Sequence, residues 1–563
     1  MPRSRFATAF SFLLTAGVLC FLWLPLISLY GAALWEILRA NPTRFFEAFP
    51  IRPLPRILFW NTLLLSVSSA FLALILGAIV ASVLVRRSRF QILAVVLCVL
   101  PLAIAPTLMA TAFLAWTRLP PARAAASLAA TSTLSINSIF IAAPVLALCF
   151  YPIAAFALSA ARRAIPTDLM DAAQLFGNPI RAATGVLWPL LKPATFAALG
   201  LIATLSMWEM GASDLLDART YSVQIYRDFS ASQNISKAAL DAIPMFVLGA
   251  LCFLPFWRAL RFYQVWENFQ FAPHEDFSTS LRSQARFAAV EMTRISKRPK
   301  NTNPLAWVAL LIFMASPIAA IAIFISQMKP ASILFEIWVV NREEILNTIW
   351  AASATSLIIL VLSTLLIASW REYSARTQRW ILLGFLLPLL GAPIMVAVAL
   401  LQFYNWPIFD WFFDSQNVVF ISDFTSRYGL LIFGFLTRFL PLGVLWIYEA
   451  SRRIPRRFEE SATSCGASPF SVFREITIPL LLPSLIGLGA VLWTLCATEL
   501  SLAVLLNSPG GQTLPVPIFN QMHIGATEQV AALSLTLVGL SAGVLLLPFV
   551  AAFGRRIFMN LNP

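Results

Sequence analysis

The chain has 563 residues, of which 59% are hydrophobic and only 12% are charged, and its mean hydropathy is +0.79. Because soluble domains carry about 25% charged residues, this composition excludes an ordinary soluble protein and indicates a lipid environment. The formal net charge is +14. On a membrane protein such an excess marks loops at the cytoplasmic face rather than a nucleic-acid surface, and we expect no nucleic-acid partner.

Long apolar stretches recur along the whole chain. A spanning helix needs about 20 mostly apolar residues, and this criterion predicts about twelve spans in an all-α integral membrane protein. The first span is long enough to be an anchor instead of a cleavable signal. The predicted spans begin near Ala7, Leu58, Gln91, Asn137, Leu190, Ala238, Pro304, Asn347, Trp380, Tyr428, Leu480 and Val530.

The placement of arginine and lysine predicts the orientation of these spans. With the N-terminus inside, the basic runs at 86–89 and 452–457 and the basic stretch that ends at Lys300 all fall on the cytoplasmic side. The segment 31–57 carries four arginines on the outer side and is the exception. Both termini are therefore predicted to be cytoplasmic.

The second half of the chain repeats the first at a spacing of 286 to 290 residues. The matched pairs are Asn61-Thr62 with Asn347-Thr348, Pro189 with Pro479, and Glu209 with Glu499. We predict two tandem six-helix halves, 1–261 and 304–563, joined by a charged cytoplasmic linker at 262–303. Parallel repeats in a transporter usually place the translocation path between the two halves.

The loops between the fourth and fifth spans of each half, about 161–189 and 450–479, carry the most informative motif. The shared positions are Asp171, Ala172, Ala173, Gly177 and Pro189 in the first copy, and Glu460, Ala462, Gly466 and Pro479 in the second. The pattern resembles the EAA loop of binding-protein-dependent ABC importer permeases: EAA, three residues, G, nine residues, I-x-L-P. The second copy keeps this spacing. The first copy begins with aspartate and is one residue shorter between glycine and proline.

The resemblance implies a type I ABC importer permease in a bacterial inner membrane. From 439 to 535 the chain is similar to the ferric-iron branch, in which both halves are fused. In that family each EAA loop forms a coupling helix that sits on an ATPase subunit, so the resemblance implies two ATPase copies and a periplasmic binding protein. The alternative interpretation of each loop is an ordinary re-entrant turn with a surface helix.

The chain has no Gly-Lys dipeptide and so lacks a P-loop of the GxxxxGK[ST] kind. We therefore expect no enzymatic activity and no cofactor on this chain, with ATP used by partner subunits. The six cysteines are scattered and the two histidines are far apart, which predicts no metal site.

Three charged residues fall within or at the edge of predicted spans, where a charged side chain costs free energy. Arg438 lies 10 residues after Tyr428, in the middle of the tenth span, and is either functional or a structural arginine at Pro441. Glu209 and Glu499 each lie 20 residues after their proline, or about 30 Å, which predicts a position at the outer membrane boundary. They are candidates for a cation-attracting mouth of the translocation path, for helix caps, or for partners of a docked binding protein.

Two other classes remain as alternatives. A secondary transporter of the major facilitator type also has twelve spans, but it needs a Gly-rich charged loop where this chain has only Arg86-Arg87-Ser88-Arg89. A membrane enzyme needs convergent His, Cys or acidic groups that the spans do not offer. The first choice of substrate is ferric iron, with thiamine, polyamines and other small solutes as alternatives.

Overall fold

A computed structural model of the protein describes residues 5–40, 53–85, 91–117, 135–165, 183–232, 235–270, 304–330, 332–370, 373–404 and 425–561. Every regular element in these ranges is a helix. Helices satisfy all their internal backbone hydrogen bonds within one segment, as a lipid environment requires. The predicted all-α membrane fold is confirmed.

The described residues of the first half form nine helices. They are α1 (Arg5–Ala40), α2 (Pro53–Leu84), α3 (Gln91–Val99, extended by a 3-10 turn at Leu100–Ala103), α4 (Pro106–Thr117), α5 (Ser135–Ala164), α6 (Trp188–Met207), α7 (Gly211–Leu215), α8 (Tyr221–Ser232) and α9 (Ile235–Gln270). The last of these continues nine residues into the predicted linker. The rest of the linker, 271–303, lies outside the described residues.

The described residues of the second half follow the same order and also include one helix after its first span and two on the cytoplasmic loop. They are α10 (Pro304–Gln327), α11 (Ile333–Val340), α12 (Arg342–Trp370), α13 (Ala375–Leu386), α14 (Pro393–Tyr404), α15 (Leu430–Arg452), α16 (Arg456–Ser464), α17 (Pro469–Val472), α18 (Ile478–Ala497), α19 (Ser501–Leu506), α20 (Pro515–Ile524) and α21 (Thr527–Leu561). Proline opens α2, α4, α10, α14, α17 and α20, where its missing N–H costs nothing and its fixed φ suits the first turn.

Among the described residues, nine helices are long and apolar enough to cross a membrane, and two bent pairs raise the number to eleven. The seventh predicted span falls on α10, of which Ala315–Gln327 is a shorter apolar helix. All twelve predicted starting points lie on helices. The count of twelve spans stays a prediction.

The third and ninth predicted spans are each a bent pair of helices. α3 and α4 meet at 82°, and α13 and α14 meet at 96°. The cause is a repeated sequence, Leu-Pro-Leu-x-x-Ala-Pro, at 100–106 and 387–393. Proline lacks a donor and disfavours helical geometry in the residue before it, so each pair of prolines breaks the helix between them.

The two halves interlock through their first helices. α1 packs against α12, α13 and α14 of the second half, and the Trp23 indole donates to the Gly384 carbonyl on α13 at 3.0 Å. In return α10 packs against α2 and α4 of the first half. Each half therefore completes its core with a helix from the other.

Candidate translocation path and coupling surface

The repeated Asn-Thr pair anchors the extended segment that leads into α8 or α20. In the first half, Asn61 donates to the Arg219 carbonyl at 3.0 Å, and the hydroxyl of Thr62 accepts from the Tyr221 N–H at 3.0 Å. In the second half, Asn347 donates to the Gly510 and Gln512 carbonyls at 2.9 and 3.0 Å. The hydroxyl of Thr348 accepts from the Leu514 N–H at 2.8 Å. The same bonds thus hold both short helices.

Equivalent elements of the two halves face each other. The rings of Tyr226 on α8 and Phe519 on α20 meet edge to face at 6.3 Å. A methyl group added at Gly211, just after Glu209, would lie 2.8 Å from Cδ2 of Leu500, just after Glu499. Contact between matching positions is the mark of a two-fold relation, so an approximate two-fold axis runs between α8 and α20.

The structure brings Arg438, Glu499 and Glu209 together beside this axis. Nε of Arg438 lies 3.1 Å from Oε2 of Glu499, and the two side chains are only 14% and 10% exposed. Oε1 of Glu209 accepts long hydrogen bonds from the Ala212 N–H at 3.4 Å and the Thr107 hydroxyl at 3.5 Å. The charges of Glu499 and Arg438 both act on Glu209. Three residues predicted separately therefore form one buried cluster.

This cluster bears on two expectations. Arg438 lies near the middle of the span Arg427–Arg452, whereas its partner Glu499 lies two residues beyond the end of the span Pro469–Ala497. The position of Glu209 and Glu499 at the outer boundary therefore stays a prediction. α15 continues through Pro441, so the helix is not interrupted next to Arg438.

In the first half, Cys149 takes the place of Arg438. The thiol of Cys149 is buried on α5 and lies within the electrostatic field of Glu209, as Arg438 on α15 pairs with Glu499. The offset between the two positions is 289 residues, in register with the repeat. Two carboxylates, Glu209 and Glu499, therefore lie near a single arginine at these two matching positions.

Asp214 connects the two halves. Its Oδ1 accepts from Arg227 at 2.7 Å, and its Oδ2 lies 3.3 Å from Nε2 of His523 in the other half. The Asp214 side chain is 9% exposed, whereas Arg227 and His523 are about half exposed. These contacts join α7, α8 and α20.

The second EAA-like loop forms the short helix α16, which ends at Gly466. Gly466 has φ +87°, a left-handed conformation that favours glycine. The Gly466 N–H donates to the Thr463 carbonyl and the Ala467 N–H donates to the Ala462 carbonyl, both at 3.0 Å. These two bonds make a Schellman motif, so this glycine ends the helix.

α16 lies on the surface with most of its side chains in solvent. Glu460 is exposed, and a methyl group at Gly466 would meet no atom within 4 Å. The rings of Phe458 and Phe470 are 52% and 70% exposed on either side of the turn. A side-chain hydrogen bond links α16 to the segment before α18: the Thr477 hydroxyl donates to Oε1 of Glu459 at 3.0 Å.

The first EAA-like loop is described only at its end. Asp171, Ala172, Ala173 and Gly177 lie outside the described residues, whereas Pro189 lies in the first turn of α6. Each membrane helix is preceded by one π-helical turn, Ala183–Leu187 in the first half and Phe473–Thr477 in the second. The prolines therefore continue a helical path, which in the second half begins at Pro469.

Known proteins provide the remaining comparison. No protein-family model matches the chain. It is 30% identical over 176 residues to PhnV, a 2-aminoethylphosphonate transport system permease protein of Salmonella paratyphi A, covering 30% of this chain and 60% of PhnV. It is 23% identical over 402 residues to the Fe(3+)-transport system permease protein FbpB 2 of Haemophilus influenzae, covering 69% of this chain and 71% of the relative. It is 33% identical over 88 residues to the putrescine permease protein PotI of Escherichia coli, covering 16% and 31%.

The chain is a permease of the binding-protein-dependent ABC importer family. The match with PhnV spans 60% of the length of that protein, whereas the match with FbpB 2 runs through both halves of this chain. The permease is a multi-span membrane protein.

Two features of the permease were missed from the sequence. The Asn-Thr pairs were recognised as repeat landmarks but not as anchors, although two adjacent polar residues inside an apolar span are a signal for buried hydrogen bonds. The Leu-Pro-Leu-x-x-Ala-Pro repeat was also overlooked, and its double proline is a sufficient signal for a broken span.

Proposed function

We propose that this permease forms the translocation path of an ATP-driven importer, with the path between its two halves. The contact of Tyr226 with Phe519 across the approximate two-fold axis carries the proposal. In both halves the membrane helix, α6 or α18, ends two residues before its glutamate, Glu209 or Glu499. The approximate two-fold axis relates these two helix ends. The boundary between the halves at this point, called the seam below, is where rigid halves separate when the path opens.

The energy for opening comes from other chains in this proposal. α16, with Glu460, Ala462, Gly466 and the later Pro479, docks on an ATPase subunit, and the loop with Asp171, Ala172, Ala173, Gly177 and Pro189 docks on a second copy. Exposed aromatic rings beside a short surface helix suit such an interface, because aromatic side chains are enriched in protein contacts. A periplasmic binding protein delivers the solute, and this chain itself holds no cofactor.

Ferric iron is the proposed substrate. The support is the relative FbpB 2, an Fe(3+)-transport permease aligned over 69% of this chain. The names of PhnV and PotI favour a second class of small solute, a phosphonate or a polyamine. Glu209, Glu499 and Arg438 line the path in either case.

Reconstitution into vesicles tests this function. The permease with its ATPase and binding-protein partners is expected to import the ligand of that binding protein only when ATP is present. Isotopically labelled Fe³⁺, 2-aminoethylphosphonate and putrescine are compared in parallel, with vesicles lacking the ATPase as the control. ATP-independent uptake driven by a proton gradient would instead identify a secondary transporter.

Orientation has its own test. The proposed inner-membrane topology places both termini and the segment around His274 in the cytoplasm, because six spans return the chain to its starting side. A reporter enzyme active only in the periplasm, fused after Ser280, is expected to be silent, while the same reporter fused after Pro330 is expected to be active. A strong signal after Ser280 would overturn the span count.

A further inference from the structure

The buried cluster holds one arginine between two carboxylates that belong to different halves. Arg438 touches Glu499 at 3.1 Å, both on the second half, and its charge also acts on Glu209 of the first half. The Glu499 charge acts on Glu209 in the opposite sense. The cluster carries one net negative charge when all three groups are ionised.

Little else in the described part of the chain balances these charges. Glu209 receives only two long hydrogen bonds, from the Ala212 N–H and the Thr107 hydroxyl. The matching position in the first half holds the thiol of Cys149 in place of a second arginine. Charges interact far more strongly here than at a water-exposed surface, because burial lowers the effective dielectric.

The charge cluster lies where the two halves meet, so its balance of charges affects whether the halves stay together. Gly211 and Leu500, which follow the two glutamates by one or two residues, are in contact across the axis. Separating the halves moves Glu209 away from both Glu499 and Arg438. Without the arginine, two like charges would face each other at the seam and favour separation.

We propose that Arg438 is the shared counter-ion of Glu209 and Glu499 and that its charge holds the two halves together in the resting state. Its role is positional: the arginine sets the balance between closed and open arrangements of the seam. This inference rests on the proposed function for its meaning in transport, but closure of the seam is measurable without any substrate.

The reporter for closure is a pair of cysteines at Tyr226 and Phe519, whose rings are 6.3 Å apart. A short bis-maleimide joins the pair only when the halves are together, and mass spectrometry gives the yield. The exposed Cys20 and Cys465 are replaced by serine to leave the reporter pair as the main targets. The measurement uses the full chain in vesicles, without nucleotide or binding protein.

Arg438→Met is expected to lower the cross-linking yield by about fivefold or more, the lower end of usual coupling between sites. Arg438→Met with Glu209→Gln is the decisive variant. It removes the repulsion across the seam and is expected to restore the yield to within about twofold, although the bond between Arg438 and Glu499 stays absent. Cys149→Arg with Arg438→Met moves the arginine to the other half and is expected to restore the yield as well.

Arg438→Met with Glu499→Gln controls for folding, because it removes both partners of the 3.1 Å pair at once and so leaves neither of them unpaired. Thermal unfolding of all variants separates loss of the fold from loss of closure. A native yield in Arg438→Met would overturn the inference. So would rescue by Glu499→Gln but not by Glu209→Gln, since Arg438 would then serve Glu499 alone.

The two proposals fail in different ways. If cross-linking follows the charge balance but no solute is imported under any condition, the proposed function is wrong and the closure device stands. If ATP-driven import occurs and Arg438→Met cross-links normally, the function stands and this inference is wrong.

Discussion

The two halves of the permease are alike where they hold the backbone and unlike where they hold charge. Asn61-Thr62 and Asn347-Thr348 make the same bonds to the segments that lead into α8 and α20. The positions that face the two buried glutamates differ, with a thiol at Cys149 and a guanidinium at Arg438. A duplicated scaffold can therefore be kept by backbone anchors while its interior becomes asymmetric.

The physical reason lies in what each contact must satisfy. A buried backbone N–H or C=O left unpaired costs about 1–3 kcal/mol in either half, so each half needs its own anchor. A buried charge cluster beside the axis is shared, and one arginine influences carboxylates on both sides. The predictions below test this difference, beginning with the largest effect.

Glutamine at the two glutamates is expected to act unequally. Glu499→Gln leaves Arg438 buried without its partner and is expected to cost about 3–5 kcal/mol of stability. Glu209→Gln keeps an amide oxygen that can accept the two long hydrogen bonds of Glu209 and is expected to cost about 1 kcal/mol or less. Unfolding midpoints of the purified single variants measure the difference. Equal losses would mean that the two carboxylates are equivalent despite the single arginine.

The double replacement tests transport instead of stability. Glu209→Gln with Glu499→Gln is expected to weaken uptake more than either single change while the complex still assembles. Uptake assays with matched amounts of membrane-inserted protein measure this. Unchanged uptake in the double variant would leave the glutamates as local structural groups.

The anchors should differ in strength though not in kind. Asn347 bonds two carbonyls and also accepts from the Tyr428 hydroxyl at 2.6 Å, whereas Asn61 bonds one carbonyl. Asn347→Ala is expected to lower the free energy of unfolding by about 2–3 kcal/mol and Asn61→Ala by about 1–2 kcal/mol. Denaturant titration in detergent checks the order. A larger loss at Asn61 would contradict the assignment of these bonds.

The contact between His523 and Asp214, which joins the two halves, should contribute least to stability. His523 is half exposed, and its interaction with Asp214 is screened by water, so His523→Gln is expected to change stability by less than about 0.5 kcal/mol. Asp214→Asn, which also weakens the bond to Arg227, is the matched comparison and is expected to cost more. If His523→Gln cost as much stability as Glu499→Gln, the contact of His523 with Asp214 would be as important for stability as the charge cluster.

The sequence was most informative where a single periodicity decided the structure. Long apolar runs predicted the helices, and matched landmarks predicted the order of elements in each half. It was least informative where distant residues combine. Neither Arg438 nor Glu499 carries any local sign of the other, since 61 residues separate them along the chain. Counting residues from Pro479 likewise gives no sign that Glu499 pairs with an arginine near the middle of another span.

Coupling through α16 is the central claim, and substitution at Gly466 tests it most directly. Any side chain at φ +87° is strained by about 1–2 kcal/mol, so Gly466→Ala serves as the control for strain alone. Gly466→Trp adds bulk at a site where no atom of this chain lies within 4 Å of an added methyl group, so extra loss reflects a partner surface. With loaded binding protein, wild type and Gly466→Ala are expected to retain stimulated ATP hydrolysis, and Gly466→Trp is expected to lose it despite normal membrane insertion. Full stimulation and full uptake in Gly466→Trp would show that α16 is only a surface turn.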